Sequence, residues 1–190
     1  MRWRDCLSLV RSDIDRLVQA LCDAGVPPPR RRWKFLFTAE IAALALYRAS
    51  HCAYRRGGHA LAGFLYRMNI TLTGVDIHPS TEIGPRCLLA HPVGTILFGR
   101  FGEELTVYAR VVVNCDTVPP LLAQAPQLGD RVLLGSMASV LGRVEIASDV
   151  KIAPGSLIDF SIPERNRLVR RFPGEKTVST PARTADAAME

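Results

Sequence analysis

The sequence predicts a parallel β-helix of hexapeptide repeats, entered through an N-terminal helical region, and three observations carry that prediction. A large apolar residue returns at six-residue spacing: Ile77, Ile83 and Leu89, then Phe101, Val107 and Val113, then Leu128, Leu134, Val140, Ile146, Ile152 and Ile158. Helices repeat near 3.6 residues and amphipathic strands at two, so a sustained six marks a solenoid of short strands and tight turns. Four residues after most of these positions stands a small or branched side chain (Thr81, Cys87, Val111, Val132, Ala138, Val144, Val150, Ser156), as a crowded interior demands. The residues ahead of the repeat follow a helical period instead.

Taken in order, residues 1–73 form the helical region. Leu7, Val10, Ile14, Leu17, Val18 and Leu21 share one stripe of a helix over 4–22, which Gly25 and Pro27-Pro28-Pro29 terminate. A second helix runs over 38–56 and breaks at Gly57-Gly58; a third covers 59–68 and leads to Gly74. The coil occupies 74–176 and has two irregularities. The beat due at 95 falls on Thr95 with Ile96 beside it, so that turn is deformed. From Val113 to Leu128 the gap is fifteen residues, rich in proline, and an excursion of about nine residues leaves the coil within 114–127. Loops on rigid scaffolds commonly carry function. Residues 177–190 are poor in large apolar groups and are expected to form a flexible tail.

At 190 residues and 48% hydrophobic content, the chain supports one domain with an ample core. No apolar run approaches the roughly 20 residues of a membrane span. Asp5, Asp13 and Asp15 disqualify the first 25 residues as a signal peptide, so a cytoplasmic location is expected. Five cysteines without ligand spacing are expected to be reduced thiols. The net charge of +6 invites an anionic partner. Its basic residues are not interleaved with aromatics in a nucleic-acid motif, so no nucleic acid is expected. The clusters at Arg30, Arg31, Arg32 and Lys34 and at Arg165, Arg167, Arg170 and Arg171 suit cofactor phosphates or proximity to an anionic membrane surface. A zinc site of three histidines finds only His78 and His91 on the coil, so no metal is expected.

The chemistry concentrates in one run. The segment Val75-Asp76-Ile77-His78-Pro79, with Ile83-Gly84 and then His91-Pro92-Val93-Gly94, resembles the serine O-acetyltransferase branch of the hexapeptide acyltransferases, as does Tyr47-Arg48-Ala49-Ser50-His51 ahead of it. The resemblance covers about residues 40–175 and implies a left-handed β-helix using acetyl-CoA. It implies a catalytic pair at His91 and Asp76. A coil advancing one turn in about eighteen residues puts positions fifteen apart on neighbouring turns near one corner. There, neutral imidazole takes the proton of an attacking alcohol and a carboxylate supports the imidazolium formed. The resemblance also implies cofactor contacts at Gly135, Ser136, Pro154 and Gly155, with Lys151 and Arg170 near the phosphates. His78 is expected to be structural.

Departures from the pattern shape the expected acceptor. Ala90 stands where the branch has an aspartate, and Gln124-Ala125 where it has an Arg-His pair that helps hold the amino acid. The expectation is therefore acetyl transfer to a hydroxyl other than free serine, on a sugar, polysaccharide or biosynthetic alcohol. Serine acetylation is the alternative, and a non-catalytic scaffold is the alternative of another class. The resemblance implies a homotrimer; the helical region is about half the usual length, which argues against the larger dimer of trimers without settling trimer against hexamer.

Overall fold

The computed structural model describes residues 2–29, 32–117, 121–172, 174 and 177–181, with Arg32 described by its backbone alone. Helices α1 (Trp3–Asp23), α2 (Ala39–Arg55) and α3 (His59–Thr73) precede a triangular coil of two- to four-residue strands. One face stacks β1 (Asp76–Ile77), β4 (Ile96–Leu97), β7 (Val112–Asn114), β10 (Ser139–Leu141) and β13 (Leu157–Ile158). The second stacks β2 (Glu82–Ile83), β5 (Arg100–Phe101), β8 (Gln127–Leu128) and β11 (Glu145–Ile146). The third stacks β3 (Leu88–Leu89), β6 (Thr106–Val107), β9 (Leu133–Leu134), β12 (Lys151–Ile152), β14 (Arg167–Arg170) and β15 (Val178–Pro181). Pairing is parallel throughout except between β14 and β15.

The six-residue beat is the inward column of this coil. Ile77, Leu89, Val107, Val113, Leu134, Val140, Ile152 and Ile158 are buried together, and the small residues Thr81, Cys87, Val111, Val132, Ala138 and Ser156 fill the corners behind them. The deformed turn is real, but its centre differs from expectation. Leu97 points inward, while Thr95 takes the buried small position and Ile96 faces outward. The corner between β3 and β4 is thus two residues longer than its neighbours, and the β4–β5 corner is two shorter. The excursion also stands: Glu82 pairs with Arg100 eighteen residues on, whereas Arg100 pairs with Gln127, nine residues further than one regular turn.

The helical cap closes the open end of the solenoid, where the first turn would otherwise leave backbone groups unpaired. The Arg48 guanidinium, 1% exposed, donates to both oxygens of Asp13 (3.1 and 3.2 Å) and to the carbonyls of Ile83 (2.5 Å) and Gly84 (2.7 Å). Asp13, fully buried on α1, accepts in turn from the Cys87 N–H at 2.9 Å. Tyr47 Oη donates to Thr81 O at 2.7 Å, and His51 Nδ1 donates to Pro79 O at 2.8 Å.

Two boundaries differ from the sequence reading. Helix α3 continues past Met68 to Thr73, because Asn69 anchors it by donating to Ala43 O and because the first left-handed residue is Gly74 (φ 69°). Part of the segment expected to be a flexible tail is a strand: Val178–Pro181 pairs antiparallel with Arg167–Arg170, whose outer edge offers a ladder to any extended segment that returns. Residues 182–190 lie outside the described part. So do Arg30, Arg31 and the Arg32 side chain, which carry most of the first basic cluster.

Candidate active site

The elongated β3–β4 corner is where the site forms. Regular corners of this coil place a left-handed residue third after the inward aliphatic, as at Arg86 (φ 62°), Arg110 (φ 57°) and Met137 (φ 61°). Here that position is Pro92, whose ring forbids positive φ. The turn is made instead by His91 (φ 55°) and Gly94 (φ 76°). A histidine in a strained backbone position, with its ring exposed, is held out from the coil rather than packed into it.

Corners on this edge stack in register. Gly94 N–H donates to Gly74 O, Met137 N–H to Ala109 O, and Gly155 N–H to Ser136 O, each at 2.9 Å. His91, Arg110, Ser136-Met137 and Pro154-Gly155 therefore form one column headed by Gly74, with Asp76 two residues further on at the start of β1. Interstrand spacing of about 4.8 Å makes the column roughly 14 Å long from the His91 corner to Gly155. Gly135 permits the tightest step: a Cβ there would lie 2.6 Å from Pro154 N. Phe172 packs at the foot of the column, 3.3 Å from where a Gly155 Cβ would lie, and the Arg170 guanidinium sits 5.8 Å from its ring centroid. Lys151 is exposed on the outward face of β12.

A cleft of about 520 Å³ opens beside His91, lined also by Glu40, Arg110, Ser136, Met137 and Val93. The structure thus brings His91 and Ser136 to one cleft and adds Glu40 and Arg110, which no motif signalled. Asp76 does not line the cleft. Its Oδ1 accepts a 2.6 Å hydrogen bond from Tyr66 Oη on α3, and no hydrogen bond joins it to His91 among the described residues. Burial and Asp76 together push the Tyr66 hydroxyl well above its usual pKa, so it stays a donor. His78 is structural, as expected. Its Nδ1 bonds Ser80 Oγ at 2.7 Å, its ring sits between Tyr66 and Phe98, and burial lowers its pKa.

The described parts of the 114–127 loop, residues 114–117 and 121–127, fold back rather than standing open. Ala125, fully buried, packs with Phe98 and Cys115 in a small cluster outside the coil, and Leu122 leans on it. Burial pushes the Cys115 thiol up, but hydrogen bonds from Thr117 and nearby backbone outweigh it and hold the thiol below its usual range. The Ala125 end of the loop is therefore an apolar plug.

No family model matches the chain. A serine acetyltransferase of Helicobacter pylori is 30% identical over 140 residues, covering 72% of this chain and 81% of the relative. One from Mycobacterium tuberculosis is 30% identical over 131 residues, of which this chain spans 56% of the length. Among solved structures, serine acetyltransferase of Neisseria gonorrhoeae superposes with a TM-score of 0.81 at 25% identity, covering 98% of this chain and 71% of that one. Serine acetyltransferase isoform 3 of Entamoeba histolytica, in complex with cysteine, gives 0.74 at 26% identity, covering 90% and 59%. With these relatives, the helical cap and left-handed β-helix define an acetyl-CoA-dependent acyltransferase of the hexapeptide class. The chain belongs to the serine acetyltransferase family.

Proposed function

We propose that this chain is a serine O-acetyltransferase, and the observation that carries the proposal is His91 held in the left-handed position of an elongated corner, over a cleft shared with Ser136. The imidazole removes the hydroxyl proton of L-serine as its oxygen attacks the acetyl carbonyl of acetyl-CoA. The carbon–sulfur bond then breaks, and the leaving thiolate takes the proton back from the imidazolium. Asp76, at the start of β1 beside this corner and fixed by Tyr66, supports the imidazolium charge. The donor's pantetheine arm follows the column through Gly135, Ser136, Pro154 and Gly155, with Lys151 and Arg170 as counter-charges for its phosphates.

The acceptor reading departs from the sugar or biosynthetic alcohol expected from Ala90 and Gln124-Ala125. Relatives reported above are serine acetyltransferases, and the cleft offers opposite charges rather than an aromatic platform on which a glycan would stack. Assembly as a homotrimer, with a neighbour closing each cleft, belongs to the same reading and is tested by sedimentation. The function is tested by thiol release from acetyl-CoA with L-serine and a panel of sugars, for the native chain and His91→Ala. Turnover with serine that falls about 10²–10⁴-fold in the variant supports the proposal. Turnover confined to sugars refutes the serine acceptor, and activity indifferent to His91 refutes the mechanism.

A further inference from the structure

The cleft beside His91 carries one carboxylate, Glu40, and one guanidinium, Arg110, contributed by elements far apart in sequence. Glu40 lies in the first turn of α2, and Arg110 occupies the left-handed corner residue before β7, its side chain laid over Gly94. Neither forms an ion pair among the described residues, although most charged side chains along the coil are tied into ladders such as Arg86–Glu104 and Arg131–Asp149. Gly94 matters to this placement: a Cβ there would touch Arg110 Cγ at 3.4 Å, so the stem lies flush on the corner that carries His91. Elsewhere the groups expected to hold an amino acid are gone. Ala90 carries no charge, and Ala125 is sealed in an apolar cluster.

Resting on the serine acceptor proposed above, we infer that Glu40 and Arg110 form a replacement clamp for a zwitterionic hydroxy amino acid. Glu40 receives the α-ammonium and Arg110 the α-carboxylate, presenting the hydroxyl to His91. Charge-assisted hydrogen bonds of this kind are strong and directional, and two of opposite sign select against neutral alcohols. The acceptor site has moved from the excursion loop to the helical cap, which gives α2 a part in specificity as well as in closing the coil.

Three acceptors separate the two contacts: L-serine, L-serinamide, which lacks the carboxylate, and 3-hydroxypropionate, which lacks the ammonium. Glu40→Gln should raise KM about 10–100-fold for L-serine and L-serinamide while leaving 3-hydroxypropionate unchanged. Arg110→Gln should raise KM similarly for L-serine and 3-hydroxypropionate but not for L-serinamide, and Arg110→Lys should recover part of the loss. Acetyl-CoA affinity, measured by calorimetry, should stay constant in all three variants. Serine turnover that ignores both variants, falls equally for all three acceptors, or falls through weakened acetyl-CoA binding overturns the clamp alone. A native chain that is silent with serine but acetylates a sugar through His91 overturns the serine reading and the clamp together.

Discussion

Arg48 should be the residue whose loss costs the fold most, and the structure sets the size of the effect. Arg48→Met keeps the aliphatic stem against Tyr47 but deletes four hydrogen bonds: two to Asp13 and one each to Ile83 O and Gly84 O. Asp13 is then a fully buried carboxylate with only backbone N–H groups, those of Cys87 and Arg86, left to support it. Breaking a buried pair from one side costs about 3–5 kcal/mol, a large share of the roughly 5–15 kcal/mol that hold a typical domain together. Removing the stranded charge as well, in Asp13→Leu/Arg48→Met, should restore roughly half of the loss. The two orphaned carbonyls remain, so recovery stays partial. Urea unfolding gives the comparison: far-UV circular dichroism follows the whole fold, and fluorescence of Trp3 and Trp33 follows the cap. A single variant that loses less than about 1 kcal/mol, or a double variant that merely adds the two single effects, would refute the idea that this pair latches cap to coil.

Other residues give sharper local tests. Tyr66→Phe removes the one hydroxyl on Asp76; kcat should fall roughly 3–30-fold with KM for acetyl-CoA unchanged, as steady-state kinetics will show. Gly135→Ala puts a Cβ 2.6 Å from Pro154 N, so the corner must shift; we expect about 1–3 kcal/mol of destabilisation in urea and weaker acetyl-CoA binding by calorimetry. Burial, foremost among the causes, lowers the His51 pKa below 6.5, so the unfolded chain binds the extra proton first. Stability should therefore fall as pH drops below about 6.5, and His51→Gln should flatten that part of the urea-midpoint profile.

The coil could be read from the sequence because a solenoid repeats its physics. Every six-residue side of a turn needs one large inward residue and one small corner residue, so Ile146, Val150, Ile152 and Ser156 each repeat a signal already given by Leu128, Val132, Leu134 and Ala138. The cap was legible only as helices. Asp13 falls within an apolar stripe and looks like an interruption, and nothing in the spacing of Asp13, Arg48 and Cys87 tells that they meet. Their contact depends on how α1 and α2 cross the first turn, which is a tertiary property. The exit strand Val178–Pro181 was hidden for a similar reason, since its ladder is supplied by the exposed edge of β14 and not by its own composition.

The site divides along the same line. His91 was visible through its motif, and the two-residue excess around it showed as a missed beat at Thr95. Glu40 and Arg110 carried no signal, because an acidic residue in a helix's first turn and an arginine at a coil corner are each ordinary alone. What makes them exceptional is the column geometry. Pro92 displaces the left-handed residue to His91, and Gly94 then lets Arg110 lie across the corner just made. One proline and one glycine thus set both the His91 ring and the charge beside it. Changing the corner's length should disturb catalysis and acceptor selection together, whereas changing the 114–127 loop should disturb neither if its plug of Phe98, Cys115 and Ala125 stays packed.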